Sequence, residues 1–334
     1  VDQYLDLLEE NGFELVGAAE THIHADFLSG ARELARSTGA TYYISGEEGE
    51  GWEYEGLENL KIERLFDGDT FEVGNVRIEA LHTPGHTPEH ISYLVTDTPA
   101  SDEPRMILTG DFLFVGDLGR PDLLEEAAGQ MGTADIGARQ MYQSVREKFL
   151  TLPDDVVIWP GHGAGSACGK ALGAIPNSTV GFERQHSWWS KYYQDESLGE
   201  DEFVAELLEG QPESPSYFRQ MKVVNRNGVP YLGKTPRPAR LLPDEFRVLD
   251  DEGARIVDLR DMETFASSHP GQAYNFTSVS SVSTRAGWVF PFDDKPLIIL
   301  GEEADVDEAA RRLVRVGYDN IAGYIPGYDG YFAE

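Results

Sequence analysis

This chain of 334 residues has little sulfur, little lysine and no long apolar run. A single cysteine, Cys168, excludes an intrachain disulfide and any zinc cluster built from cysteines. It fits a reducing, cytoplasmic setting. Lysine occurs only seven times, and 59 acidic residues against 27 basic ones leave a net charge of -32. Such a surface repels nucleic acid and anionic lipid, so neither is expected as a partner. No stretch approaches the roughly eighteen apolar residues of a membrane span. The opening Val1-Asp2-Gln3-Tyr4 has no Met and no basic segment leading into an apolar one, so no signal peptide is expected.

Histidine is present and unevenly placed. Seven of the eight fall between His22 and His186. With cysteine clusters excluded, a metal would have to be held by His, Asp or Glu. Thr21-His22-Ile23-His24-Ala25-Asp26-Phe27 offers three such donors at alternate positions, a set suited to a first-row transition metal.

Hydrophobic periodicity places this motif. Asp2 to Gly17 reads as an amphipathic helix with a stop at Asn11-Gly12, and Phe13 to Ala19 as a short buried strand. Ser29 to Thr38 is predicted to be helical and Thr41 to Ser45 a strand. Leu57 to Leu81 alternates like antiparallel strands and leads into His82-Thr83-Pro84-Gly85-His86-Thr87-Pro88-Glu89-His90. Strands at Ile91–Val95, Met106–Leu108 and Asp155–Trp159 follow, with a helical region from Leu118-Gly119-Arg120-Pro121-Asp122 to about Leu150. Four strand ends therefore deliver His or Asp: His22/His24/Asp26, His86, Asp111 and His162.

These clusters, in this order, resemble the metallo-β-lactamase superfold, an α/β fold of the αββα sandwich type, over roughly residues 1–190. Members generally begin with a β-hairpin. This chain opens at the following helix, so the hairpin is expected to be missing. Binuclear hydrolases of the superfold, such as glyoxalase II, read His-x-His-x-Asp-His. Here Phe27 takes the last position and cannot bind metal, leaving Asp26 and His162, with a possible bridge from Asp111, for a second ion. A mononuclear site is expected.

The Phe form, together with His82–Thr87, Gly110-Asp111, Gly119–Asp122 and Pro160-Gly161-His162-Gly163-Ala164-Gly165-Ser166-Ala167-Cys168, resembles the persulfide dioxygenases. That resemblance implies one Fe(II) per chain held by His22, His86 and Asp111, with a small-molecule thiol persulfide and O2 as substrates. Two His and one carboxylate leave about three open positions, as in non-haem iron oxygenases. His24, Asp26 and His162 would then surround the ligands, and His82 and His90 would support the loop. For Arg120 two readings stand, a contact to the carrier's carboxylate or a structural ion pair. For Cys168 they are a transient sulfur contact or packing in a tight turn near the site.

Residues 191–240 carry Pro212, Pro215, Pro230, Pro236 and Pro238 and read as a helical tail and linker. Residues 241–334 resemble a rhodanese domain, a three-layer α/β unit. Gly301-Glu302-Glu303-Ala304-Asp305 stands where an active rhodanese has its cysteine, so no sulfurtransferase activity is expected there; dimerisation, docking or positioning is. A homo-oligomer is the expected state. Two other functions stay open: a zinc-dependent thioester hydrolase of the glyoxalase II kind, and a non-enzymatic sulfur-binding scaffold.

Overall fold

The computed structural model describes residues 1–47, 49, 51–123, 125 and 132–328. Its first helix, Asp2–Asn11, ends where the Asn-Gly signal falls, with Gly12 in the left-handed region (φ 62°). Three short strands, β1 (Gly17–Ala19), β2 (Thr41–Ser45) and β3 (Ile62–Leu65), form a parallel sheet in the order β1-β2-β3. The helix Ala31–Thr38 packs on it, and Ala35, Tyr42, Ile44 and Ile23 close that layer. The pairing of β3 differs from the antiparallel expectation. The turn at Asp67-Gly68-Asp69 does not fold β3 back on its neighbour. It carries the chain across to the second sheet.

That sheet contains β4 (Thr70–Val73), β5 (Val76–His82), β6 (Ile91–Asp97), β7 (Met106–Gly110), β10 (Val157–Pro160) and β11 (Ser178–Thr179), ordered β11-β10-β7-β6-β5-β4. Between β7 and β10 lies a two-stranded hairpin of β8 (Leu113–Phe114) and β9 (Asp117–Leu118). Leu65, Ala80, Ile91 and Tyr93 form a cluster fed by strands of both sheets. On the other side, Ile107 and Ile158 meet Ala138, Met141 and Tyr142 of the helix Thr133–Ser144, joined by Val180 and Trp189. The layers thus run helix, sheet, sheet, helix. The predicted helical region before Thr133 lies partly outside the described residues.

Residues 191–240 form a packed bridge, tighter than the linker expected there. Phe203, Val204 and Leu207 of the helix Glu200–Leu208 enter the core of the six-stranded sheet. Met221 of the helix Phe218–Asn227 enters a second core further on. That core belongs to a parallel sheet of β12 (Arg255–Asp258), β13 (Ala273–Asn275), β14 (Leu297–Leu300) and β15 (Ile321–Ile325), ordered β13-β12-β14-β15. Along β14, Leu297 and Ile299 face the helices Val282–Val289 and Glu303–Val314, and Ile298 and Leu300 face Phe246 of the helix Pro243–Asp251. The period-2 alternation of side chains requires a covered sheet on both faces, which makes this a three-layer α/β unit.

Candidate metal centre

Strand ends bring the site together. His22 sits in the loop after β1, His86 in the loop after β5, and Asp111 directly after β7. All three are buried, and one donor atom from each lies within 4.8 Å of the others. Backbone geometry permits this approach. Gly85, just before His86, has φ +147°, and a Cβ there would stand 2.8 Å from the Met141 Cα. At Gly119 a Cβ would meet the Asp111 carbonyl oxygen at 1.8 Å.

Hydrogen bonds set the donor orientations. His86 Nδ1 lies 3.2 Å from the Arg120 carbonyl, which can only accept, so Nδ1 carries the proton and Nε2 is free toward Asp111 Oδ2, 3.7 Å away. Burial lowers the pKa of His86, and of His22 well below the ordinary imidazole value, so both are neutral near pH 7. Burial opposes ionisation of Asp111. His162, hydrogen-bonded to it, and then His22 and His86 outweigh burial and hold it well below the usual carboxylate range. Asp111 Oδ1 is buried without a hydrogen-bond partner. Two neutral imidazoles beside an ionised carboxylate with a free oxygen suit a divalent cation.

His24, Asp26, His162 and Cys168 adjoin this trio. His162 Nε2 is 3.3 Å from both Asp111 Oδ2 and Asp26 Oδ2. Burial lowers its pKa, but Asp111 raises it further, so the ring is cationic in the metal-free protein. His24 lies with its ring 4.2 Å from that of His22 and 4.5 Å from that of Phe27. Sequence reasoning found only Asp26 and His162, with a bridge from Asp111, for a second ion. The structure adds the Cys168 thiol, within 4.8 Å of both. That thiol is buried and its pKa is pushed up to about 12, chiefly by burial, so it is neutral and a poor nucleophile.

Arg120 departs from one of its two readings. Its side chain is fully buried. Nε and Nη2 bind Asp122, Nη1 donates to the Ala167 carbonyl, and Nη2 donates also to the Pro212 carbonyl. The guanidinium ties the Cys168 loop to the bridge segment, and a carrier carboxylate has no approach to it.

Sequence reasoning placed His82 and His90 as loop supports. His82 Nε2 meets the Pro88 carbonyl. His90 Nε2 accepts the Asp111 backbone N–H at 3.1 Å, and its ring stacks on His22 with centroids 5.0 Å apart. Two residues passed unnoticed. Glu89 Oε1 accepts the Ile23 N–H, between His22 and His24. Asn225 binds the same loop from the bridge segment. A groove of about 1140 Å³ is lined by His24, Asp26 and His162, which adjoin the trio, and by Phe27 and Ser166.

The metallo-beta-lactamase superfamily matches residues 2–162. A solved metallo-beta-lactamase from Staphylococcus aureus subsp. aureus COL is 38% identical, with a TM-score of 0.81 covering 98% of this chain and 89% of that one. The chain belongs to the metallo-beta-lactamase superfamily. Within that superfamily, the human persulfide dioxygenase ETHE1, mitochondrial, is 35% identical over 158 residues, 47% of this chain and 52% of that protein. The hydroxyacylglutathione hydrolase GloC of Haemophilus influenzae is 29% identical over 188 residues, 52% of this chain and 81% of that protein. This superfamily member spans about half the length of the persulfide dioxygenase it matches. Among its described residues no helix is long and apolar enough to cross a membrane.

Proposed function

We propose that this protein is a persulfide dioxygenase. It would be a non-haem Fe(II) enzyme that oxidises a low-molecular-weight thiol persulfide, of the glutathione or coenzyme A type, in sulfide detoxification. The observation that carries this reading is the donor set, two buried neutral imidazoles and one ionised carboxylate, with Phe27 where a binuclear site needs another imidazole. The likeness to human ETHE1 supports it. The reaction is R–S–SH + O2 + H2O giving R–SH, sulfite and two protons. The terminal sulfur is oxidised, O2 is reduced, and the S–S bond breaks with the carrier leaving as thiol.

His22, His86 and Asp111 would hold the metal. When bound, iron supplies Lewis-acid and redox chemistry toward O2 and sulfur. The chain's own residues do the rest. The Arg120 carbonyl fixes the tautomer of His86, and the His90 ring holds the backbone of Asp111. His162 keeps Asp111 ionised. Phe27 and His24 wall the groove by which the persulfide enters. Cys168, buried and neutral beside Asp26 and His162, packs with Phe114 and Phe218 without acting as a nucleophile.

We read the C-terminal sheet as a rhodanese-like domain without a catalytic thiol. Gly301-Glu302-Glu303 follows β14, and the chain's only cysteine lies in the other half. The role we propose for it is dimerisation, docking or positioning.

Protein purified without oxygen tests the reading. The expected result is about one iron per chain and O2 uptake only when glutathione or coenzyme A persulfide is added, with sulfite formed. Zinc occupancy, no O2 uptake and turnover of S-lactoylglutathione would establish a thioester hydrolase instead.

A further inference from the structure

We propose that Asn225 is a positioning residue for the metal centre, holding the backbone of the loop that carries His22, His24 and Asp26. Asn225 lies in the helix Phe218–Asn227 and is buried. Its Nδ2 donates to two carbonyls of the loop, those of His24 and Phe27, each at 2.7 Å. Its Oδ1 accepts the Ser29 backbone N–H at 2.9 Å. A carbonyl can only accept and an amide N–H can only donate, so this orientation of the side-chain amide is the one that satisfies all three.

The chemistry of the position is restrictive. Between Glu20 and Gly30 the chain has neither helix nor strand, so its backbone groups need partners from elsewhere. A carboxylate at 225 would put an acceptor against two carbonyls. An aliphatic side chain would leave three partly buried backbone groups unpaired. A glutamine would be one methylene too long for a fit set at both ends. Asparagine alone supplies two donors and one acceptor at this reach.

The loop is pinned elsewhere by its own half of the molecule. Glu89 Oε1 accepts the Ile23 N–H at 2.8 Å, and Glu20 Oε1 accepts the Ser29 hydroxyl at 2.6 Å. Asn225 reaches it from nearly two hundred residues away in sequence. Its helix is itself anchored twice. Met221, fully buried, sits in the core of the C-terminal sheet with Val257 and Ile299. Lys222 Nζ stands 3.3 Å from the centroid of the Trp52 ring. A second tie from the C-terminal unit, the Arg315 carbonyl accepting the Leu28 N–H at 2.7 Å, falls between two of the residues that Asn225 holds. The later part of the chain therefore holds the metal loop at two places, the Arg315 carbonyl and the Asn225 side chain, and Asn225 is the one that does so through a side chain.

This inference rests on His22, His86 and Asp111 holding a metal, and it is independent of the reaction that metal serves. Co(II) is the probe, bound to the full chain. Chelator competition measures its affinity, and the visible absorption of the bound ion reports ligand geometry. Asn225→Asp, close to isosteric, and Asn225→Ala are each expected to weaken Co(II) binding about 10- to 100-fold, the usual loss when a partner behind the ligands is removed. Both should shift the absorption bands. Ile298→Ala, buried on the opposite face of the same sheet among Phe246, Ile256 and Leu300, is expected to lower Tm while keeping wild-type affinity and bands. Wild-type affinity and bands in Asn225→Asp overturn the proposal, as does an equal loss of affinity in Ile298→Ala. In the unaltered protein the Ser29 amide is expected to resist hydrogen exchange; exchange at the rate of an open loop also overturns the proposal, whether or not the variants fold. A wild-type protein that binds no Co(II) removes the metal centre itself and this inference with it.

Discussion

The two halves of the molecule end their strands differently. In the first, the loops after β1, β5, β7 and β10 turn imidazoles and carboxylates toward one point. Asp111 Oδ1 is left there buried and unpartnered. In the second, β14 is buried on both faces and runs into Gly301-Glu302, and Asp258, among the described residues after 241 the one fully buried charged group, is closed off by a two-point pair with Arg260. Both are layered α/β units, so layering provides a place at the strand ends without deciding what happens there. Chemistry follows where buried polar groups are left incompletely satisfied, because such groups are costly and persist where a ligand completes them.

The sharpest way to break this contrast is Asp111→Ala. It should abolish metal retention and O2 uptake, a loss beyond the roughly hundredfold that removing a partner behind a ligand costs. Metal analysis and an oxygen electrode check it, and unchanged values would favour the scaffold reading. Ile298→Ala tests the other half. A cavity at a fully buried β14 position should cost about 2–5 kcal/mol in denaturant unfolding while metal content stays at the wild-type level. Asp26→Asn removes a charge beside His162 but no residue of the His22/His86/Asp111 set. About a tenfold weakening of metal binding is expected, measured by competition; complete loss would show that Asp26 is itself a ligand.

The smallest effect concerns acidity. Burial raises the Glu89 carboxyl from 4.5 to about 7. A raised carboxyl holds its proton more tightly in the native state. Its contribution is therefore full below the ordinary carboxylate range and declines as pH rises through about 7. Glu89→Gln keeps an acceptor for the Ile23 N–H and should flatten this slope. Urea midpoints of metal-free protein across that range would show it, and an unchanged slope would place the titration elsewhere.

Much of the first half was legible because its signals are local. Thr41 to Ser45 read as the strand that became β2, and Asn11-Gly12 marked the end of the first helix. The spacing of apolar residues followed by His or Asp marked the four strand ends. Phe27 carried information through what it cannot do. The parallel pairing of β3 was not legible, because Asp67-Gly68-Asp69 reads as a hairpin turn and tertiary packing sends the chain to the other sheet. For Arg120 two readings stayed open because sequence does not report burial. Asn225 and Lys222 fell in a proline-rich stretch without clear period, and their partners lie far away along the chain. Contacts of that range leave no periodic trace.

Arg120 also bears on how the protein meets salt. The chain carries 59 acidic and 27 basic residues, so its surface repels itself, and that repulsion grows as ionic strength falls. The guanidinium of Arg120 is itself fully buried and so less open to such screening, and it joins the partly exposed Asp122, the Cys168 loop and the carbonyl of Pro212 at the surface. Dilution should loosen the outside first, leaving the wall of the metal site, held by a buried cation, nearly indifferent to the salt around it.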